Sequence, residues 1–205
     1  MRSEAFLPMS KELHSWNFQN VQSVGGGFLT VEDRLRFFVG ARSGDCVGAK
    51  TCSDKLGGAW DGNGTTGTAT MRRDGFASKT AAVEGVLTTE LLSFSGRAHL
   101  FLNLNASAAS ASAKVELLDA SGAVTQTSAV LKGVDSTRLA APWAGAATAA
   151  SEGAGAGRLR FTLRGGAHLY SFWFAADAKC GASGGPVAAG GKGFATARDT
   201  HGACA

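Results

Sequence analysis

Ser183 has the most complete set of chemical neighbours in the sequence. It sits in Cys180-Gly-Ala-Ser183-Gly-Gly-Pro-Val187, a run of small residues around a hydroxyl. His99 precedes it, with Asp119 or Asp135 between, so the chain holds a candidate base, orienting carboxylate and nucleophile. Other motifs invite binding chemistry. Gly62-Asn-Gly-Thr-Thr-Gly67 matches the spacing of a dinucleotide loop, which needs a strand before it and a helix N-terminus after it to hold pyrophosphate. Here a strand pattern follows, so loop punctuation accounts for the glycines better. Asp61-Gly-Asn63 begins like a calcium loop, but Thr66 stands at the sixth position, where the sharp turn needs Gly, and no Glu closes the loop at the twelfth.

The remaining titratable residues are scattered. His14, His99, His168 and His201 show no metal-ligand spacing, and His99 and His168 fall on strand patterns as face residues. Asp33, Asp74, Glu84, Glu90, Glu116 and Asp119 lie mostly at turns or on solvent faces, and none is marked as an acid or nucleophile of a glycosidase-like pair. Cys46, Cys52, Cys180 and Cys204 lack the paired spacing of a zinc site. A disulfide between Cys46 and Cys52 would staple one loop. A reduced pair of thiols is the alternative, and the compartment stays open. No metal and no cofactor is expected.

These groups must be positioned by strands, since no convincing helical period occurs. Phe28-Leu-Thr-Val31 and residues 34–39 form a hairpin across Glu32-Asp33, with Leu35, Phe37 and Val39 on one face. Two strands bury too little to stand alone, and residues 68–73 are the nearest third strand after a Gly-rich insertion at 44–67. Asp74-Gly75 then turns the chain sharply, with Gly supplying positive φ. From Gly85 the pattern becomes regular. Strands are predicted over 86–94, 99–105, 114–118 and 124–127, with a weaker one over 139–143. Residues 158–163 place Leu159, Phe161 and Leu163 inward, and Gly165-Gly166 is a strong two-residue hairpin signal. The return strand, 167–174, carries His168, Tyr170, Phe172 and Phe174 on one face and Leu169, Ser171 and Trp173 on the other. Such spacing predicts an all-β chain ending in an antiparallel two-sheet β-sandwich.

Composition narrows the function classes. The net charge of +4 is spread along the chain, without a basic block or a basic-aromatic alternation, so no nucleic-acid partner is expected. No apolar run reaches the roughly 18 residues a bilayer demands, so no membrane partner is expected either. The first ten residues carry a charge pair where a signal peptide needs an apolar stretch. The 29 glycines against 3 prolines predict long loops and tight turns.

Two family resemblances can be weighed on these residues. The Ser183 loop resembles the nucleophile loop of chymotrypsin-like serine proteases, where Gly and Ser amides form an oxyanion hole, and His99, Asp119 or Asp135, and Ser183 fall in the order of that family. However, Ala182 stands where trypsin-like members have Asp, His99 lies in an alternating strand, and residues 184–205 are too few to finish a second barrel. A Gly-rich surface loop is the better account.

The second resemblance covers most of residues 15–195. It is carried by Asn20-Val-Gln-Ser-Val-Gly-Gly-Gly27, Arg34-Leu-Arg-Phe-Phe-Val-Gly-Ala-Arg42 and residues 68–78 in the first half. Gly85-Val-Leu-Thr-Thr89, His99-Leu-Phe-Leu-Asn103, Val115-Glu-Leu-Leu-Asp119, Asp135-Ser-Thr-Arg138, Arg158-Leu-Arg-Phe161 and Leu169-Tyr-Ser-Phe-Trp173 carry it further on. Together they resemble the C-terminal part of glycosyl-hydrolase-like five-bladed β-propeller proteins of the invertase and arabinanase kind. The resemblance implies a remnant of the last blade over residues 1–80, a β-sandwich of the concanavalin-like jelly-roll kind over 84–175 and an irregular tail over 176–205, with the blade and sandwich packed on each other. It implies a carbohydrate substrate for the parent protein, with Trp16, Asn20 and Gln22 as the sugar contacts. The family's carboxylates come from Asn-Asp-Pro-Asn, Arg-Asp-Pro and Glu-Cys motifs. None occurs here, so the chain alone is expected to lack the acid/nucleophile pair. A non-catalytic carbohydrate-binding or adhesion sandwich is the competing expectation, and a serine hydrolase using Ser183 a third.

Overall fold

A computed structural model describes residues 6–12, 14–18, 20–43, 64–94, 99–145, 156–175 and 178. The described chain is all-β and falls into two units, Met1–Arg73 and Asp74–Ala205.

The first unit is an antiparallel meander of β1 (Val21–Val31), β2 (Arg34–Arg42) and β3 (Gly64–Arg72), in that spatial order. Glu32-Asp33 joins the first two strands as expected, and Glu32 takes the left-handed φ of 52°. Strand alternation puts Leu35, Val39 and Ala41 of β2 on one face with Ala69 and Met71 of β3, all buried. Phe28 and Phe37 meet across the pair at 5.3 Å, and Phe6 closes on Phe37 edge-on at 5.6 Å. The segment before β1 therefore covers this face. The other face exposes Leu29, Val31 and Phe38 together with Arg34 and Arg36.

β3 differs from the expected strand at its start. It begins at Gly64, so the second half of the Gly62–Gly67 motif is ladder rather than loop, pairing Gly64 with Arg42 and Thr65 with Ala41. Thr65, Thr66, Thr68 and Thr70 are β-branched and favour this extended geometry. The turn that follows also differs in detail. Asp74 itself takes the positive φ, 52°, which Gly75 was expected to supply.

The second unit contains β4 (Lys79–Thr80), β5 (Glu84–Thr88), β6 (Leu92–Ser93), β7 (His99–Ala106), β8 (Ser112–Leu118), β9 (Val124–Thr127), β10 (Val134–Ala140), β11 (Ala156–Arg164) and β12 (His168–Ala175). One sheet has the order β10-β7-β12-β4; the other runs β5-β11-β8-β9, with β6 also on β11. Lys79 and Thr80, grouped by sequence with the blade, pair instead with Leu169 and His168 at a sandwich edge. Between the sheets lies one apolar layer. Leu100, Leu102, Leu104, Leu169 and Phe174 face Val115, Leu117, Leu159, Phe161 and Leu163, each at most 4% exposed. Phe94 stacks on Phe174 at 4.3 Å, and Phe161 tilts against Phe172 at 5.1 Å.

Three strand expectations change here. The predicted strand 86–94 divides into β5 and β6, because Thr89 takes over the ladder with its side chain. Its Oγ1 accepts from Leu159 N at 3.0 Å, while its own N–H donates to Leu159 O at 2.9 Å. Gly165-Gly166 does not close a hairpin. It carries the chain from one sheet to the other, since β11 and β12 lie in different sheets. Both glycines have positive φ, and their N–H groups donate to Val83 O and Ala81 O, away from a two-strand ladder.

The third change concerns β12. The register shifts between Leu169 and Ser171, leaving Tyr170 as an extra residue, and a bulge of one residue reverses the alternation. Leu169 therefore faces the core together with Phe172 and Phe174, while His168, Ser171 and Trp173 align with the outward residues Asn105, Asn103 and Phe101 of β7. The alternation expected from sequence is right only after the bulge.

Candidate functional site

Ser183, Cys46, Cys52, Asp61 and His201 lie outside the described residues, so the constellation around Ser183 can be followed only through its partners. They do not meet. His99 begins β7, whereas Asp135 pairs with Asn105 at the other end of the same strand. Six strand steps separate the two rows, about 20 Å. Asp119 is engaged elsewhere: its Oδ1 accepts from Ser121 N (2.8 Å), Ser121 Oγ (2.6 Å) and Ala123 N (3.0 Å). These bonds, the Ser121 hydroxyl foremost, hold its carboxyl below the ordinary value. Asp119 is an acceptor that builds a turn.

The three residues implicated in sugar contact are divided by the first unit's sheet. Trp16 lies over Gly67, where an added Cβ would stand 3.8 Å from the indole and 3.7 Å from Val39, and its carbonyl accepts from Thr65 Oγ1 at 3.2 Å. It therefore belongs to the covered face, although 46% of its surface is exposed. Gln22 pairs with Gly40, one position out of step with Val39 and Ala41, and so takes the opposite face. Asn20 immediately precedes β1 and is half-buried. Trp16 and Gln22 do not converge on one ligand from these positions.

The two outer faces of the sandwich have different chemistry. On the five-stranded sheet, rows of opposite charge satisfy one another. Arg160 Nε donates to Glu116 at 2.7 Å, Lys114 Nζ to the same carboxylate at 3.0 Å, Arg164 Nε to Glu84 at 2.6 Å, and Arg158 Nη1 to Glu90 at 3.3 Å. The Arg160 hydrogen bond is the chief reason the Glu116 carboxyl is held below its ordinary value, against the opposing effect of burial. A glycosidase acid needs the reverse shift. Glu116 is a structural anion.

The four-stranded sheet carries aromatic and amide groups on the side away from the sandwich core, with Phe101 and Asn103 buried there and His168, Tyr170 and Trp173 half-buried. Phe101 and Trp173 stack at 5.7 Å, His168 and Tyr170 at 6.0 Å. Asn103 is completely buried opposite Ser171, whose Oγ is buried and has no hydrogen-bond partner among the described residues. His168 Nδ1 lies 3.0 Å from Ser78 Oγ, and Asn105, between His168 and Asp135 in the ladder, accepts from Ser107 N and Oγ. Sequence alternation missed this grouping because it placed His168 with the core-facing Phe172 and Phe174. Only the bulge at Tyr170 brings His168 onto the face of Ser171 and Trp173.

Among the described residues no three His, Cys, Asp or Glu side chains gather as a metal site. No helix among the described residues is long and apolar enough to cross a membrane. Compared with known proteins, the chain matches no family model, no curated protein and no solved structure.

Proposed function

We propose that the chain is the C-terminal part of a glycoside-hydrolase-like propeller protein. In this reading the three-stranded unit is the last blade, the sandwich is an accessory module, and carbohydrate is the parent's substrate. The observation that carries the reading is the first unit itself. It is an antiparallel meander with one face closed by its leading segment and the other presenting Leu29, Val31 and Phe38, as expected of a sheet built to sit against another sheet. The chemistry agrees, since the two carboxyls with a resolved shift, Glu116 and Asp119, are both stabilised as anions. Catalysis would then rest on carboxylates that other blades supply, and this chain alone would be inactive. Sequencing the transcript upstream of Met1 tests the reading. Coding sequence for further blades with paired carboxylate motifs is the expected result, and an in-frame stop directly upstream would overturn it.

The sandwich as a carbohydrate-binding or adhesion module in its own right is favoured by one observation, the half-buried Trp173, stacked on the buried Phe101 on the sheet side turned away from the core. A glycan array probed with the full chain separates the two. Binding that Trp173→Ala abolishes favours the module, and no binding at millimolar sugar favours the accessory role. Labelling by a fluorophosphonate, lost in Ser183→Ala, would instead establish a serine hydrolase.

A further inference from the structure

The edges of the described sheets are blunted in recognisable ways, with one exception. β1 is broken by a register shift between Ser23 and Phe28 across Gly25, Gly26 and Gly27. β10 is interrupted between Ser136 and Leu139, and β9 has four residues with a shift against Leu117 and Leu118. β4 has two residues, and β5 has five, headed by Glu84. Short length, bulges and charge are the standard protections against strand addition. β3 has none of them. Its nine residues keep unbroken register with β2, contain no Pro or Lys, and carry their only charge at the last position, Arg72. No described strand pairs with its outer side.

The side chains of β3 are also self-complementary. An antiparallel pairing of β3 with itself that overlaps all of Gly64–Arg72 sets Thr68 opposite Thr68 of a second copy, because Gly64 then meets Arg72. Thr66 meets Thr70, Gly67 meets Ala69, and Thr65 meets Met71. Thr66, Thr68 and Thr70 fall on the face of Phe38 and Arg36, where hydroxyl and methyl pairs stabilise opposed strands. The small residues fall on the face of Leu35, Phe37 and Val39, so the covered layer would run on across the join. No like charges meet.

We propose that β3 is a dimerisation edge, pairing antiparallel about Thr68 with β3 of a second copy to give a continuous six-stranded sheet. This does not depend on the carbohydrate reading, and a negative glycan result leaves it standing. Sedimentation equilibrium of the full chain over a concentration series tests it, and a reversible monomer–dimer equilibrium is expected. Thr68→Lys sets two ammonium groups against each other across the dyad and should weaken the dimer by about fivefold or more. Thr68 is exposed, so circular dichroism should remain that of the parent. The double variant Thr66→Lys, Thr70→Glu places Lys opposite Glu twice and should tighten the dimer severalfold. A monomer at every concentration overturns the proposal, as does a dimer that Thr68→Lys leaves unchanged. Weakening of the dimer by the double variant overturns the register.

Discussion

The two units bury apolar surface in different ways. The sandwich closes its core between two sheets, so Leu104, Val115, Leu159 and Phe174 reach 0% exposure from opposite sides. Among the described residues the three-stranded sheet has a loop segment over one face, and its best-buried residues, Val39 at 2% and Leu35 at 3%, lie on the side opposite Leu29 at 54%. A core formed by two opposed sheets is self-sufficient. A single small sheet needs another surface, and its edges and faces become places where partners can act.

Core cuts should expose this difference most strongly. Phe161→Ala, in the middle of the sandwich layer, should cost about 3–5 kcal/mol by denaturant titration. A loss under about 1 kcal/mol would mean that the two sheets do not share one core. The sheet crossing is next. Gly165 combines φ of 58° with a Cβ position 2.0 Å from Ser110 O, while Gly166, at φ of 83°, has open space. Gly165→Ala should cost about 2–4 kcal/mol and Gly166→Ala about 1 kcal/mol, and equal losses would refute the close approach to Ser110. Val39→Ala, the corresponding cut in the three-stranded sheet, should cost about 1–2 kcal/mol, since one face of that sheet is already open. A cost matching that of the like substitution Val115→Ala in the sandwich layer would erase the contrast between the units.

The smallest expected effect lies on the charged face. Glu116→Gln should cost about 1 kcal/mol at neutral pH and less at high salt, because Arg160 and Lys114 are part-exposed. The folded-state pKa of Glu116 lies below its unfolded value. Its contribution is therefore fully present above the ordinary carboxylate range and is lost as pH falls through the lowered folded value. The difference between parent and Glu116→Gln should shrink in acid and persist at neutral pH. A difference that grows in acid would reverse the assignment.

Much of the fold was legible because side-chain alternation is local. Leu35, Phe37 and Val39, or Leu159, Phe161 and Leu163, declare a common face by their spacing alone, and Glu32-Asp33 declares a hairpin. The site was less legible. Trp16 and Gln22 were joined by resemblance, yet ladder register sets them on opposite faces. The grouping of His168, Ser171 and Trp173 was hidden because nothing in Leu169-Tyr-Ser marks a bulge.

The sequence by itself determined that the chain is all-β, which residues alternate, and where most turns fall. Only the tertiary structure decided that Gly165-Gly166 separates two sheets, that β3 starts at Gly64, and that Tyr170 reverses the faces of β12. The physical reason is common to all three. Alternation depends on one strand, whereas pairing, register and bulges depend on a neighbour that arrives from a distant part of the chain.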